Sequence, residues 1–307
     1  MLMNKIVPPP THLISDYVEE MDLMGLIEAA KHEDLGINGI DITSYYIVDQ
    51  DKQAVAMFRP RQAGIFCGGQ LIPQIIQAYD SSLELDVMIQ DGEEIKADDH
   101  LAMIRGSLAS ILKIERIALN FINHLSGIAT TTRAYVDQTA GFSARITDTR
   151  KTIPGLRGLA KYAVACGGGL NHRIGLYDAI LLKDNHLVHL PKDDLGKTIK
   201  QIVVKTQEAE DKDYKPAFFE IEVDTLTQYQ QVLHTGVDII LLDNMDLDQI
   251  KQAVQIRDQT APSVLLEASG GIGLEQIKPI AETGVDRIAV GAITHSAQTL
   301  DIGLDIL

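Results

Sequence analysis

The sequence predicts an α/β protein, with an N-terminal α+β sandwich domain followed by an incomplete six-stranded parallel α/β barrel. Three observations predict it. Through the second half, apolar runs of strand length alternate with amphipathic helical segments. Those runs are almost continuously apolar, as strands buried on both faces of a parallel sheet must be. The first part has another rhythm, mixing short strands, turns and helices with no repeat.

Taken in order, "DYVEEMDLMGLIEAAKHE" is an amphipathic helix, and "QAVAMFRP", "AGIFCGG", "LELDVMIQ" and "HLAMIRG" are short strands, with "QDGEE" as a turn. From Ser110 to about Gln138 the helical pattern is long and free of proline. It joins the first domain, residues 1–120, to the barrel, residues 121–295; residues 296–307 form a segment expected to pack back on the first domain. "ARITDTRK" and "AILLKDNH" are the first two barrel strands, and the next four centre near Ile221, Ile240, Leu265 and Ala289. The stretch from Thr130 to His295 is short for an eight-unit barrel of ~250 residues, so six units fit better. A doubly wound open sheet carries the same pattern and stays open as the alternative.

Composition narrows the function. The 307 residues carry a formal net charge of -16, against the basic face of a nucleic-acid binder. No apolar run approaches the ~20 residues that span a bilayer, and "MLMNKIVPPPTH" lacks the pattern of a secretory signal. With Cys67 and Cys166 the only cysteines, no disulfide framework is expected, and a cytoplasmic location follows. The charge is uneven, however. Arg150, Lys151, Arg157, Lys161, Arg173 and Lys183 face only Asp178 and Asp184 in the same stretch. A basic island in an acidic chain suits a compact anion in a shielded cleft.

Two phosphate motifs fail. "PKDDLGKT" has Pro191 where a phosphate loop needs its first glycine, and "GGIGLEQ" has Gln276 in place of the last glycine of a dinucleotide fingerprint. The strand ends are more informative, because barrel enzymes place their reacting side chains there. They carry Asp148, Arg150 and Lys151; Lys183; Glu220 and Glu222; Asp243 and Asn244; Glu267 and Ser269. Glu220 and Glu222, two apart, project from one side of their strand. Buried carboxylates need a cation or donors, so one of the two either pairs with a lysine or serves function. Asp224 suits a helix cap. "SGG" and "VGA" close the last two strands, where backbone N–H groups commonly hold a phosphate. Gly167 to Gly169 free a tight turn ahead of His172 and Arg173, and Cys166 beside them reads as a small buried filler.

The stretch "TDTRKTIPGLRGLAKYAVACGGGLNHRIGLYDAILLKDNH", with "EIEVD", "LLDN", "EASGGI" and "VGAITHS" following in order, closely resembles the quinolinate phosphoribosyltransferase family over nearly the whole chain. The resemblance implies a carboxylating nicotinate-nucleotide pyrophosphorylase activity. Quinolinate and phosphoribosyl pyrophosphate would give nicotinate mononucleotide, pyrophosphate and carbon dioxide, with Mg²⁺, in NAD synthesis. It implies a quinolinate pocket of Thr149, Arg150, His172, Arg173 and Lys183, and a phosphoribosyl contact at Lys151. Glu222 and Asp243 would lie near the ribose hydroxyls and the metal. Lys151, Lys183, Glu222 and Asp243 are thereby the candidate catalytic residues. Ser269, Gly270, Gly271, Gly291, Ala292 and Ile293 match the 5′-phosphate site. Arg116, in "KIERIALN", matches an arginine that enters the neighbouring subunit's pocket, implying a homodimer with a shared active site; assembly into hexamers stays open. One departure is Ile40 between Gly39 and Asp41, where the family usually has glycine directly before aspartate. The rival readings are a relative of the same fold acting on another pyridine or in molybdenum transport, and a non-catalytic phosphosugar-binding barrel.

Overall fold

A computed structural model describes residues 12–190, 194–208 and 215–307. Residues 1–11 of the N-terminal stretch read for a signal, and Pro191 of the failed phosphate loop, lie outside these residues. The elements in chain order begin with helices α1 (Glu20–Leu35) and α2 (Ile42–Ile47), then β1 (Gln53–Pro60), β2 (Gly64–Ile65), α3 (Ile72–Tyr79), β3 (Glu84–Val87), β4 (Glu94–Ile95), β5 (Ala102–Ser107) and α4 (Leu108–Asp137). There follow β6 (Arg145–Thr147), α5 (Arg157–Cys166), β7 (Ile180–Leu182), α6 (Asp184–Leu187), α7 (Leu195–Gln207), β8 (Phe219–Val223), α8 (Leu226–Val232) and β9 (Ile239–Asp243). The chain ends with α9 (Leu247–Thr260), β10 (Leu265–Ser269), α10 (Leu274–Ala281), β11 (Arg287–Ala289), α11 (Ala292–His295) and β12 (Ile302–Ile306). Among the described residues no helix is long and apolar enough to cross a membrane.

The chain divides into two compact units. One consists of Ala134–Lys151 and Gly169–His295, the other of residues 12–133, Thr152–Gly168 and Ser296–Leu307. In the second unit an antiparallel sheet has the order β12-β1-β5-β3. Pairing of β12 with β1, from Ala56 opposite Ile306 to Pro60 opposite Ile302, brings the C-terminal strand into this sheet. The strand expected in "AGIFCGG" is shorter than its apolar run suggests: only Gly64 and Ile65 pair, with β4. Asp41 caps α2, accepting from the Thr43 N–H at 2.9 Å and from the Ser44 hydroxyl. The inserted Ile40 before it is exposed.

The first unit is built on six parallel strands in the order β6-β11-β10-β9-β8-β7. This order decides between the two sheet topologies. The first strand pairs with the last, Arg145 opposite Arg287, and the rest follow in sequence, so the sheet rolls up with one seam between β6 and β7. A doubly wound sheet would place its first strand inside the order. All five residues of β8 are buried, as are the first four of β9 and β10, which explains the unbroken apolar run of β9 and leaves the glutamates of β8 and β10 buried among apolar neighbours. The helices begin where the sequence offers capping boxes. Thr225 with Gln228, and Asp246 with Gln249, satisfy the first turns of α8 and α9. The cap expected at Asp224 therefore falls one residue later: the Thr225 hydroxyl accepts from the Gln228 N–H at 3.2 Å.

Candidate active site

At the C-terminal ends of the six strands lies a cavity of about 840 Å³. Its cationic wall comes from the two strands flanking the seam. Thr149, Arg150 and Lys151 follow β6, Lys183 follows β7, and His172 and Arg173 stand between them in sequence. Its acidic wall is Glu222 at the end of β8 and Asp243 at the end of β9. Ser269, Gly270 and Gly271 after β10, with Gly291 and Ala292 after β11, complete it.

The basic island divides between the units. Arg150, Lys151, Arg173 and Lys183 line the cavity, whereas Arg157 and Lys161 lie on α5 in the other unit. Ile293 is fully buried and does not line the cavity. Arg116 lines a separate cavity of about 250 Å³ within the second unit, beside Glu33, Asp34 and His124. The glycine turn is also less uniform than its sequence. Gly168 alone of the three has a positive φ, +88°. Gly167 is needed for close approach, since a Cβ there would sit 2.5 Å from the Ala129 carbonyl oxygen. Cys166 is buried, as is Cys67, and both are free thiols.

Arg173 is buried, yet its Nε has no hydrogen-bond partner among the described residues, and the same holds for Arg150 Nε. Only Nη1 of Arg173 is engaged, donating to the Ala179 carbonyl at 3.0 Å. Burial, and then the like charge of Arg150, lower its proton affinity from the ordinary arginine value. Two guanidinium groups brought together with donors unused form a site that an anion would stabilise. The Lys183 ammonium, by contrast, is ion-paired with Glu222. The lysine pairing foreseen for one of the two glutamates thus falls on Glu222.

Beneath this wall lies a buried charge cluster. Glu220, Glu267 and Arg287 are all inaccessible to solvent. His172 Nε2 lies 2.8 Å from Glu220 Oε2 and 3.5 Å from Glu267 Oε1, and Arg287 Nε lies 2.7 Å from Glu267 Oε2. Burial works to lower the His172 pKa, but the two carboxylates prevail and raise it to about 9. The Arg173 N–H opposes them, because it is aimed at His172 Nδ1 from 2.7 Å. A ring N–H set against a backbone N–H at that distance would be repulsive. In this arrangement Nδ1 accepts and Nε2 faces the carboxylates, so the second proton that the carboxylates favour requires the ring to turn away from the amide. His172, Glu220 and Glu267 also have the spacing of a metal site. The Arg287 guanidinium against Glu267 already supplies the cation.

Sequence reasoning placed Asn244 at a strand end without giving it a role, and it missed His295. Asn244 has a left-handed φ of +54°, and its Nδ2 donates to Asp243 Oδ2 at 2.6 Å while its N–H donates to the Ser269 carbonyl at 3.0 Å. It therefore sets the orientation of the Asp243 carboxylate. An asparagine directly after a strand-end aspartate was the available signal, since asparagine tolerates this backbone region. Gly291 opens a notch: the place its Cβ would take is 3.2 Å from both Lys151 Cδ and His295 Nε2. The Thr294 hydroxyl donates to the Lys151 carbonyl at 2.8 Å, fixing the two loops together.

Comparison with known proteins agrees with this architecture. Residues 128–305 match the family model "Quinolinate phosphoribosyl transferase, C-terminal domain", and residues 41–126 match the model of that family's N-terminal domain. The chain is 41% identical over 285 residues to a nicotinate-nucleotide pyrophosphorylase [carboxylating] of Mycobacterium leprae, covering 91% of this chain and 95% of the relative. A probable enzyme of the same name from Bacillus subtilis is 35% identical over 274 residues, covering 89% and 90%. The solved structure of the nicotinate-nucleotide pyrophosphorylase from Francisella tularensis superposes with a TM-score of 0.84 at 35% identity, covering 94% of this chain and 98% of that one. The chain belongs to the quinolinate phosphoribosyltransferase family.

Proposed function

We propose that this chain transfers the phosphoribosyl group of phosphoribosyl pyrophosphate to quinolinate, with loss of carbon dioxide, giving nicotinate mononucleotide and pyrophosphate for NAD synthesis. The observation that carries the reading is the pair of the half-buried Arg150 and the buried Arg173, each with a buried Nε left without a partner among the described residues, beside Lys183. A planar dicarboxylate is what such forked donors recognise. The seam wall is then the quinolinate site. Glu222 and Asp243 suit the ribose, and the glycine ends of β10 and β11 suit the 5′-phosphate, with Lys151 close to the Gly291 notch.

The residues answer the chemistry. As pyrophosphate leaves the anomeric carbon, positive charge builds on the sugar, and carboxylates aimed there stabilise it. Lys151 stabilises negative charge on the leaving group. Once the pyridine nitrogen is glycosylated it is cationic, so the bond to the adjacent carboxylate can break with loss of carbon dioxide, and the ring carbon, which keeps the electron pair, takes a proton from solvent; no protein nucleophile is required. Arg150, Arg173 and Lys183 hold the ring so that its nitrogen faces the sugar.

The donor set also fits Mg²⁺. Glu222 and Asp243 are two carboxylates at neighbouring strand ends, and magnesium typically takes one or two carboxylates plus substrate oxygens and water. Bound there, the ion would neutralise pyrophosphate charge. The homodimer with a shared pocket is part of the reading, supported by Arg116 standing apart from the other site residues in a cavity of its own. A cytoplasmic setting suits two free, buried thiols. Turnover with phosphoribosyl pyrophosphate and either quinolinate or nicotinate tests the assignment. Carbon dioxide release with quinolinate alone is expected; turnover of nicotinate instead, or ligand binding without turnover, would assign the cavity to a different member of the fold.

A further inference from the structure

We propose that Cys67 and Cys166 are a latent disulfide pair, which a small uncharged peroxide joins, tying the turn before α3 to the end of α5. Both residues belong to the second unit, neither lines the strand-end cavity, and the proposal holds whatever that cavity binds. Two separate fastenings bring the cysteines together. The first is the buried Asp91 carboxylate. Its Oδ1 accepts from the N–H groups of Gly68 at 3.0 Å and Gly69 at 2.8 Å, directly after Cys67. Its Oδ2 accepts from the Tyr162 hydroxyl at 2.5 Å. Tyr162 and Cys166 are four apart on α5, so they share one face of that helix. The face that meets Asp91 is therefore the one that carries Cys166. The second fastening is α4. The Cys67 N–H donates to the Ser126 hydroxyl at 3.0 Å, and that hydroxyl donates to the Cys67 carbonyl at 3.1 Å. Further along the same helix, Gly167 rests against Ala129 and Thr132, and Arg133 Nε donates to the Gly167 carbonyl at 3.1 Å.

The thiols themselves are buried and free. Burial, and then contact with the Cys166 thiol, raise the proton affinity of Cys67 well above its ordinary value. A thiol kept protonated is a slow nucleophile, so the pair stays reduced until an oxidant reaches it. Burial shuts out charged thiol reagents, whereas hydrogen peroxide is small and neutral enough to enter when the packing opens locally. One sulfur then attacks a peroxide oxygen; the O–O bond breaks, and water leaves with the thiol proton, giving a sulfenic acid. The second sulfur attacks the first, the S–O bond breaks, and another water leaves with the remaining thiol proton. The sulfurs are oxidised and the peroxide is reduced, with one disulfide and two waters as products. The bond would close a loop of about 100 residues, a length at which a cross-link restricts the unfolded chain strongly.

The test uses the reduced full chain, with Cys67→Ala and Cys166→Ala as controls. Each protein is treated with hydrogen peroxide, quenched with catalase, and unfolded in guanidinium with or without dithiothreitol. Ellman's reagent, which is charged, should find no thiol in the native reduced wild type and both thiols once it is unfolded. After peroxide it should find neither, and dithiothreitol should restore both. Non-reducing peptide maps should show the Cys67 and Cys166 peptides joined within one chain. On peroxide treatment the melting temperature of wild type should change by about 4–8 °C more, upwards, than that of either alanine variant, which shares any methionine oxidation. Thiols that survive peroxide, or a loss that dithiothreitol does not reverse, would overturn the proposal. So would a bond between chains, native thiols open to Ellman's reagent, or a cross-linked protein that gains no melting temperature over the controls. If an alanine variant fails to fold, the wild-type peptide map and its reversal by dithiothreitol decide the matter alone.

Discussion

Gly270→Ala tests how the glycine end of the cavity supports the acidic wall. Gly270 has φ +115°, where a side chain is strained whatever the space around it. An added Cβ would also clash with Asn244 Oδ1 and lie 2.8 Å from the Asn244 backbone nitrogen. The second contact is with backbone, so a side-chain rotation cannot relieve it. Strain of about 1–3 kcal/mol and overpacking of similar size together suggest a loss of about 2–4 kcal/mol. For a chain of this size that is a fall in melting temperature of about 3–6 °C. Asn244 must move, and its 2.6 Å hydrogen bond to Asp243 goes with it. Loss of about 1–1.5 kcal/mol of orientation would lower turnover about tenfold. Gly271→Ala is the control: its φ is +59°, but nothing lies within 4 Å of the added carbon. It should melt only about 2–3 °C lower, from backbone strain alone, and keep wild-type turnover. Differential scanning calorimetry of the two unliganded variants, followed by steady-state kinetics of Gly270→Ala, makes the comparison. If Gly270→Ala melts no lower than Gly271→Ala and retains wild-type turnover, the packing of Asn244 on Gly270 does not hold the Asp243 carboxylate.

Three further outcomes are expected. Asp243→Asn should keep the fold but raise the Mg²⁺ concentration needed for half-maximal turnover, as a strand-end carboxylate loses its charge; a superimposable Mg²⁺ titration would exclude a metal role. Burial works against the charged form of Glu267, but Arg287 and then His172 outweigh it and hold the pKa at about 2, below the ordinary 4.5. A depressed native pKa adds stability above pH 4.5 that is lost as pH falls towards 2, about 3 kcal/mol in full. Glu267→Gln should be less stable at pH 7 and should lose less on acidification from pH 5 to 3; denaturant melts with parallel pH slopes would contradict the assignment. Finally, Arg116→Ala and Lys183→Ala, each inactive alone, should regain part of wild-type activity as mixed dimers, which carry one intact pocket; verified heterodimers without activity would remove Arg116 from a neighbouring site.

The chain shows plainly which parts of a site a sequence reveals. Lys183 and Asp243 were legible because each follows an apolar run, and Glu222 because it stands near the end of a strand, where a charge has few structural uses. The strand order was also implicit in the repeat, yet the seam between β6 and β7 depends on the pairing of Arg145 with Arg287, which no local pattern reports. Asn244 and the Gly291 notch were hidden for a related reason. Their roles depend on a left-handed backbone in one case and on the absence of a side chain between two bases in the other. Asp224 illustrates local competition: Thr225 wins the cap because Gln228 reciprocates from the third helical position.

The strand order also explains how an acidic protein handles two anionic substrates. Cations cluster on the strands beside the seam, carboxylates end β8 and β9, and glycines end β10 and β11. Moving around the sheet from β7 to β11, the wall passes from cationic side chains through carboxylates to glycine-lined strand ends. A ring dicarboxylate, a sugar that becomes positive as it reacts, and a phosphate have that same order of charge along one line. Lys183 paired with Glu222 marks the junction of the first two zones, and Lys151 beside Gly291 closes the circle, because β11 pairs with β6. The wide excess of acid elsewhere repels polyanions without weakening these contacts, since at physiological salt an exposed charge is screened within about 8 Å. Charge placed by strand order, rather than net charge, therefore sets what this cavity admits.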